Sequence, residues 1–220
     1  MPTITALVPQ KRRRDRTNVF LDDEFACGLS NVLAAELRVG QELTAEDLAR
    51  LQARDAVEKA YFRTLNYLSY RPRSESEIAR YLIGKEMTQD VVDQVLARLR
   101  RAGLVDDAQF AEFWVQSRES HRPRGRWALK RELRAKGVAQ EVVEEAISDV
   151  DEEGGAMRVA RKALPHLVHL ERDVFYRRLL GRLQRRGFGY GICRRVTDIL
   201  WDEVHGEGSD SEQRAWPDDE

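Results

Sequence analysis

The feature that most restricts the fold of this 220-residue chain is a pattern of apolar and basic residues that occurs three times, at intervals of 51 and 50 residues. The first copy consists of Ile78, Leu82, Lys85, Val91, Val92, Val95, Leu96 and Leu99. The second consists of Leu129, Leu133, Lys136, Val142, Val143, Ala146, Ile147 and Val150, and the third of Leu179, Leu183, Arg186, Ile192, Cys193, Val196, Thr197 and Leu200. Only Thr197 changes the residue type of its position. Repetition at this period is typical of proteins in which each helical unit buries its apolar face against the next.

The spacing within each copy predicts two helices, and a third helix precedes them. Ile78 and Leu82 are one helical turn apart and therefore share a face, while the apolar residues of 91–99 form one stripe on a second helix. We place the preceding helices at 56–70, at 107–120 and at about 156–167, the last with Pro165 near its end. Each repeat is therefore predicted to contain three helices.

Several predicted helix ends have recognisable capping residues. Thr44, followed by Glu46 and Asp47, resembles an N-cap with acidic residues in the first turn, and Ser74 with Glu77 has the sequence of a capping box. Glycines that accept the left-handed conformation follow three of the helices: Gly103, Gly137 and Gly187. The first copy departs from this rule, since it has Glu86 where the other copies have Gly137 and Gly187.

The N-terminal segment has the pattern of short strands instead of helices. Ile4, Ala6 and Val8 alternate with other residues, and the segments 18–21 and 24–27 flank a turn at Asp22-Asp23. We expect a small β-hairpin or meander. The basic cluster at 11–16 is interpreted as a solvated loop in preference to a localisation tag.

The predicted fold is mainly all-α, with three tandem three-helix repeats that form an elongated curved array, preceded by a small β-hairpin or meander. The predicted segments are a β extension at 1–43, a linking helix at 44–54, helical repeats at 55–105, 106–151 and 152–205, and a disordered acidic tail at 206–220.

The net charge of −1 conceals an uneven distribution of charge along the chain. Residues 202–220 hold eight carboxylates and one arginine, so the rest of the chain has a net charge of +6. A basic body favours a polyanion or an acidic protein surface as partner, and we expect the tail to fold back transiently and weaken polyanion binding.

No apolar run is long enough to span a membrane, and neither a secretory signal nor a cysteine pair is evident. We therefore expect a cytoplasmic protein with no membrane partner, in which Cys193 is a small buried residue.

Two clusters of basic residues are the candidate binding sites. Arginine suits bidentate contacts with phosphates or carboxylates, and Trp127 among the arginines could stack on a base. The alternative is a solvated helix with Trp127 partly in the core. The candidate partner- or nucleic-acid-binding residues are Arg122, Arg124, Arg126, Lys130, Arg131, Arg134, Lys136, Arg178, Arg182, Arg185 and Arg186.

Sequence patterns for catalysis are weak. No glycine-rich phosphate loop is present, no motif marks a nucleophile elbow, and His166 with His169 lacks a third metal ligand at suitable spacing. We therefore predict a protein that is not an enzyme, with no catalytic residue, metal site or cofactor.

Several segments of the chain resemble the RecX family, bacterial regulators of the RecA recombinase. The similar segments are 67–77 (YLSYRPRSESE), 99–107 (LRRAGLVDD), 110–112 (FAE), 122–125 (RPRG), 133–138 (LRAKGV) and, in the N-terminal extension, 18–25 (NVFLDDEF). The resemblance covers roughly residues 4–201 and does not include the acidic tail.

This resemblance implies an elongated helical protein that binds the RecA nucleoprotein filament. Family members usually inhibit the recombinase, ATPase and co-protease activities of RecA, which places them in homologous recombination, DNA repair and the SOS response; some also bind DNA. We expect a monomer with the RecA filament as partner, and single- or double-stranded DNA as a further ligand. The alternatives are a stand-alone DNA-binding helical-repeat protein and a scaffold for an unrelated partner.

Overall fold

The computed structural model describes residues 1–206. Of the predicted acidic tail at 206–220, only Gly206 therefore lies within the described residues. The chain divides into two compact units, a first unit of Met1–Asp106 and a second unit that begins at Asp107. The first unit contains the N-terminal sheet and the first repeat, and the second unit contains the second and third repeats.

The N-terminal segment forms a three-stranded antiparallel meander. Its strands are β1 (Ile4–Pro9), β2 (Arg16–Leu21) and β3 (Glu24–Ser30), in the order β1-β2-β3, followed by the short helix α1 (Asn31–Ala34). Asp22 and Asp23 have φ values of 47° and 68°, which suits the two-residue turn that joins twisted strands. The predicted small meander is confirmed.

Arg16 does not belong to a solvated loop. It begins β2, only 7% of its surface is exposed, and its guanidinium donates to the carbonyl oxygen of Gly28 and to the buried carboxylate of Asp55 at 3.0 Å. The Ser30 N–H and the Lys59 ammonium also bind Asp55, each at 2.8 Å. Burial alone would raise the pKa of Asp55, but these hydrogen bonds and the charge of Arg16 hold that pKa below its ordinary value. The sequence did not indicate this pairing, because the two residues are 39 positions apart.

One continuous helix connects the sheet to the first repeat. The helix α2 (Ala45–Leu68) begins at a capping box in which the Thr44 side chain accepts from the Asp47 N–H and the Asp47 carboxylate accepts from the Thr44 N–H, each at 3.0 Å. The prediction of a separate helix from residue 56 is wrong, because 45–68 contains no glycine or proline that would interrupt it. The proposed division at residues 54 and 55 remains a prediction about domains.

Each repeat has three helices, as predicted. The first repeat combines the later part of α2 with α3 (Glu75–Ile83) and α4 (Gln89–Arg101), and the second combines α5 (Asp107–His121), α6 (Arg126–Ala135) and α7 (Gln140–Ala146). The third combines α8 (Glu152–Ala163), a 3₁₀ turn (Leu164–His166), α9 (Arg172–Arg185) and α10 (Tyr190–His205). The helix α8 begins four residues before the predicted position, because the Asp151 carboxylate caps it by accepting from the Gly154 N–H at 2.9 Å.

The recurring positions form the hydrophobic cores. Nine of them are fully buried at equivalent places in the three repeats: Ile78, Leu82, Val92, Leu129, Leu133, Val143, Leu179, Leu183 and Cys193. The burial of Cys193 is as predicted, and the Thr197 hydroxyl donates to the Cys193 carbonyl oxygen at 2.7 Å. This internal hydrogen bond explains how a threonine occupies an apolar position. The mainly α-helical fold with a small N-terminal sheet is confirmed.

Candidate functional site

The second and third repeats meet at two glycines within the second unit. The Gly125 N–H donates to the Arg186 carbonyl oxygen at 3.0 Å. A Cβ atom at Gly125 would lie 2.1 Å from the Gly187 oxygen, and one at Gly187 would lie 2.4 Å from the Ala128 Cβ. Gly187 also has a φ of +84°, which side chains disfavour. We call this contact the glycine seam, and it brings the loop after α5 against the turn after α9.

The basic cleft lies beside the glycine seam. It has a volume of about 460 Å³ and is bounded by the end of α5, the loop at 122–124, α8 and α9. Val159 and Pro123 contribute apolar surface to its walls. The basic residues that line the cleft are Arg122, Arg124, Arg158, Arg161, Lys162, Arg182 and Arg186. A volume of this size is in the range of small ligand sites, and guanidinium groups match the geometry of phosphate and carboxylate.

The positive charge of the basic cleft is only partly neutralised by carboxylates. Arg161 pairs with Glu203 at 2.9 Å, and Arg124 approaches Glu132 at 3.6 Å. Within residues 1–206, no carboxylate pairs with the other cleft residues, which are Arg122, Arg158, Lys162, Arg182 and Arg186. The cleft therefore retains an excess of positive charge.

The surroundings of Arg186 show this excess of positive charge. Its guanidinium donates to the Pro123 carbonyl oxygen at 3.4 Å. Burial lowers the pKa of Arg186, and the nearby charges of Arg124, Arg182 and Arg122 lower it further. An anion bound among these groups would relieve their mutual repulsion.

A second basic groove of about 530 Å³ adjoins the basic cleft along α9. It is lined by Ala163, His166, Leu167, Arg177, Arg178, Arg182 and Arg185. Arg182 lines both depressions, so the basic surface continues from one to the other. Of the candidate residues from the sequence, the structure brings together Arg122, Arg124, Arg178, Arg182, Arg185 and Arg186.

The remaining candidate residues lie elsewhere, on α6 or, for Lys136, at its C-cap, and have partners of their own. Arg126 donates to the carbonyl oxygens of Ser148 and Val150, at 2.9 and 3.2 Å. Lys130 pairs with Glu144, and Arg134 donates to Gln140 at 2.7 Å. Each of these contacts would compete with an external ligand.

The last two candidate residues, Arg131 and Lys136, lie over tryptophan rings. Lys136 lies 4.9 Å from the Trp114 ring centre, and Arg131 lies 4.9 Å from that of Trp127. Trp127 is 64% exposed, so the interpretation that placed it partly in the core is wrong. Trp127 is the second residue of α6 and lies on a different face of the helix from the buried Leu129 and Leu133.

The candidate residues chosen from the sequence do not include three cleft residues on α8: Arg158, Arg161 and Lys162. Their spacing of three and four residues places them on one helical face, and this signal was available in the sequence. Their proximity to Arg182 was not, because it depends on how α8 and α9 pack.

The described residues include neither a candidate membrane span nor a candidate metal-binding cluster. No helix within 1–206 is long and apolar enough to cross a membrane. The same part of the chain contains no group of three or more His, Cys, Asp or Glu residues arranged to bind a metal ion.

Comparison with known proteins gives a consistent family. Three family profiles match: "Regulatory protein RecX N-terminal domain" at 2–44, "RecX, first three-helix domain" at 60–99 and "RecX, second three-helix domain" at 106–147. Relatives named "Regulatory protein RecX" include that of Bacillus subtilis, with 34% identity over 91% of this chain and 78% of the relative. That of Streptomyces coelicolor is 37% identical over 72% of this chain and 85% of the relative.

Solved structures agree with this assignment. The crystal structure of a regulatory protein RecX matches with a TM-score of 0.74 and 25% identity, over 90% of this chain and all of that chain. The structure of RecX from Lactobacillus salivarius matches with a TM-score of 0.61 over 66% of this chain and 97% of that chain. At 23% identity, this second match supports the fold alone. From its repeat pattern, its three matching domains and its relatives, the chain belongs to the RecX family of regulatory proteins.

Proposed function

We propose that this protein binds the RecA nucleoprotein filament and restrains its recombinase, ATPase and co-protease activities. The observation that supports this proposal is membership of the RecX family across the N-terminal domain and both matched three-helix domains. The proposed role is that of a cytoplasmic, monomeric regulator without a catalytic step of its own, in keeping with the regulatory names of its relatives.

The basic cleft and the adjoining basic groove are the proposed contact surface. A nucleoprotein filament presents phosphates and carboxylates, and both are ligands for the unpaired arginines of the cleft. The proposed contact residues in this surface are Arg122, Arg124, Arg178, Arg182, Arg185 and Arg186. Five further residues, on α6 and at its C-cap, remain candidates that would have to exchange their present partners: Arg126, Lys130, Arg131, Arg134 and Lys136.

A titration of RecA-driven ATP hydrolysis on single-stranded DNA tests this proposal. The wild-type protein is expected to lower the rate as its concentration rises. The double variant Arg122→Gln/Arg182→Gln is expected to require about tenfold more protein for the same effect, since the loss of two charge-assisted contacts weakens binding. The matched control Lys11→Gln/Arg12→Gln removes two exposed positive charges outside the cleft and should behave as the wild type. An unchanged rate at saturating wild-type protein would exclude RecA regulation of this kind.

DNA binding without RecA is the second candidate function, and the unneutralised charge of the basic cleft favours it. If about four phosphates are contacted, the logarithm of the affinity for a single strand should fall with the logarithm of salt concentration with a slope of about −3. Fluorescence anisotropy with a labelled oligonucleotide from 50 to 300 mM salt, without RecA, measures this slope. Binding that is strong here, together with no effect on RecA, would favour the DNA-binding alternative.

A further inference from the structure

The third helix of the second repeat is shorter than its counterparts. The helix α7 has 7 residues, whereas α4 has 13 and α10 has 16. Ala146, at the end of α7, is half-buried, but the equivalent Val95 and Val196 are fully buried. The short helix and the small side chain therefore leave part of α5 uncovered.

A groove of about 520 Å³ fills this space, entirely within the second repeat. Its floor is apolar and consists of Val115, Val142, Ala146 and Val150. Its rim holds four carboxylates, those of Glu112, Glu119, Glu145 and Asp149. We call this depression the acidic groove.

All the charged side chains that line the acidic groove are negative. No lysine or arginine lines it, and within residues 1–206 none of the four rim carboxylates has an ion-pair partner. Arg126 donates to the backbone oxygens of Ser148 and Val150, two residues of the groove, and forms no ion pair with the four rim carboxylates. The rim charges are therefore available to an external cation.

The equivalent groove of the first repeat differs in charge and in surroundings. Its wall has Gln94 and Arg98, which correspond to Glu145 and Asp149 at the 51-residue interval. Arg98 is paired with Glu58, and Leu33 of α1 lies at the edge of this groove. In the first repeat, the N-terminal segment therefore lies at the edge of this groove and an ion pair neutralises its charge. In the second repeat, the equivalent groove is open and negatively charged.

We propose that the acidic groove binds a cationic amphipathic helix of a partner protein. Apolar side chains of that helix would cover the floor, and lysine or arginine side chains on both flanks would meet the rim carboxylates. Glu112 and Glu119 are seven residues apart on α5, or about 10.5 Å along the helix, which matches cations at positions i and i+7 of a docked helix. The groove repels nucleic acid, so its ligand differs from that of the basic cleft. This proposal does not depend on RecA regulation.

Binding of designed helical peptides to the full-length protein tests the proposal. The first peptide has 15 residues, with three leucines on one face and lysines on both flanks; the second has glutamate in place of each lysine, and the third has serine in place of each leucine. Fluorescence anisotropy of the labelled peptides at 50 mM salt should show binding of the first peptide only. The double variant Glu112→Gln/Glu119→Gln should weaken this binding by about threefold to tenfold. The matched variant Glu141→Gln/Glu171→Gln removes two exposed carboxylates outside the groove and should bind as the wild type.

Three results of the peptide assay would overturn the proposal. The glutamate or serine peptide could bind as well as the first peptide, the groove and control variants could lose affinity equally, or neither variant could lose affinity. Circular dichroism establishes that each variant is folded, and raising salt to 500 mM with the wild type tests the electrostatic contribution without any substitution. Sedimentation at increasing protein concentration checks for a second copy in the groove, and self-association that the first peptide reverses would show that the occupant is this chain itself and not a partner.

Discussion

Adding one methyl group at Gly187 is expected to disrupt the glycine seam. In a Gly187→Ala variant the new Cβ would lie 2.4 Å from the Ala128 Cβ and 2.7 Å from the Ala128 nitrogen, so the two repeats have to separate by about 1 Å. Such overpacking costs about 1–3 kcal/mol. A weakened hydrogen bond from Gly125 to Arg186 adds about 1 kcal/mol, and the φ of +84° adds about 1 kcal/mol for an alanine. Together these contributions give a destabilisation of about 3–5 kcal/mol.

Urea denaturation followed by tryptophan fluorescence measures this effect in the second unit. All four tryptophans, Trp114, Trp127, Trp201 and Trp216, follow Asp106 in the sequence, and the first unit contains none. The matched control is Gly137→Ala, since Gly137 occupies the same position of the second repeat with a φ of +81° but is exposed. With a denaturant slope of about 2 kcal/mol per molar urea, the midpoint should fall by about 1.5–2.5 M for Gly187→Ala and by about 0.5 M for Gly137→Ala.

The difference between the urea midpoints of the two variants separates the steric cost at Gly187 from the conformational cost of its positive φ. Equal midpoints would mean that the cost at Gly187 is conformational only and that the glycine seam does not hold the repeats together. Because Arg122, Arg124 and Arg186 are positioned by this seam, Gly187→Ala should also weaken oligonucleotide binding by several-fold under conditions where the variant remains folded.

Three further predictions concern other parts of the chain. Glu86 has a φ of 63° at the position where the other repeats have glycine, so Glu86→Gly should stabilise the first unit by about 0.5–1 kcal/mol, as measured by thermal denaturation, whereas Glu86→Ala, which retains the Cβ, should not. Because the pKa of Asp55 is lower in the folded state, its ion pairs stabilise the first unit above about pH 4 and lose this effect as the pH falls further; Asp55→Asn should cost about 3 kcal/mol at pH 7 and flatten the pH dependence of unfolding below pH 5. Deleting 207–220 should strengthen oligonucleotide binding by about twofold at 20 mM salt and have little effect at 150 mM, and an unchanged affinity at low salt would refute the expected role of the tail.

The repeat pattern made most of the helical fold predictable. Apolar residues at helical spacing, the capping box at Ser74 and the glycines after three helices each act locally, so the sequence alone locates them. The places that it could not locate depend on contacts over long distances. Arg16 was assigned to a loop because its partner, Asp55, belongs to another element.

The candidate site was predictable only in part for the same reason. The arginines of α9 and of the loop at 122–124 were chosen for their local density, and the structure brings them together. Density also selected the residues of 126–136, but these are engaged with acidic, amide, backbone or aromatic groups, and no sequence signal distinguishes a paired arginine from a free one. The α8 residues Arg158, Arg161 and Lys162 share one helical face, but their proximity to Arg182 depends on how α8 and α9 pack, which the sequence does not show.

The continuity of α2 gives the N-terminal sheet a role in the cooperativity of the first unit. Leu51 and Asp55 pack with the sheet, while Ala60, on the same helix, belongs to the core of the first repeat. A protein shortened to begin at residue 44 would leave the Asp55 carboxylate without Arg16 and expose the apolar face of Leu51 to water. The sheet and the first repeat should therefore unfold as one, and sequences that lose the first 43 residues can keep the repeat only if they also change the residues of α2 that face the sheet.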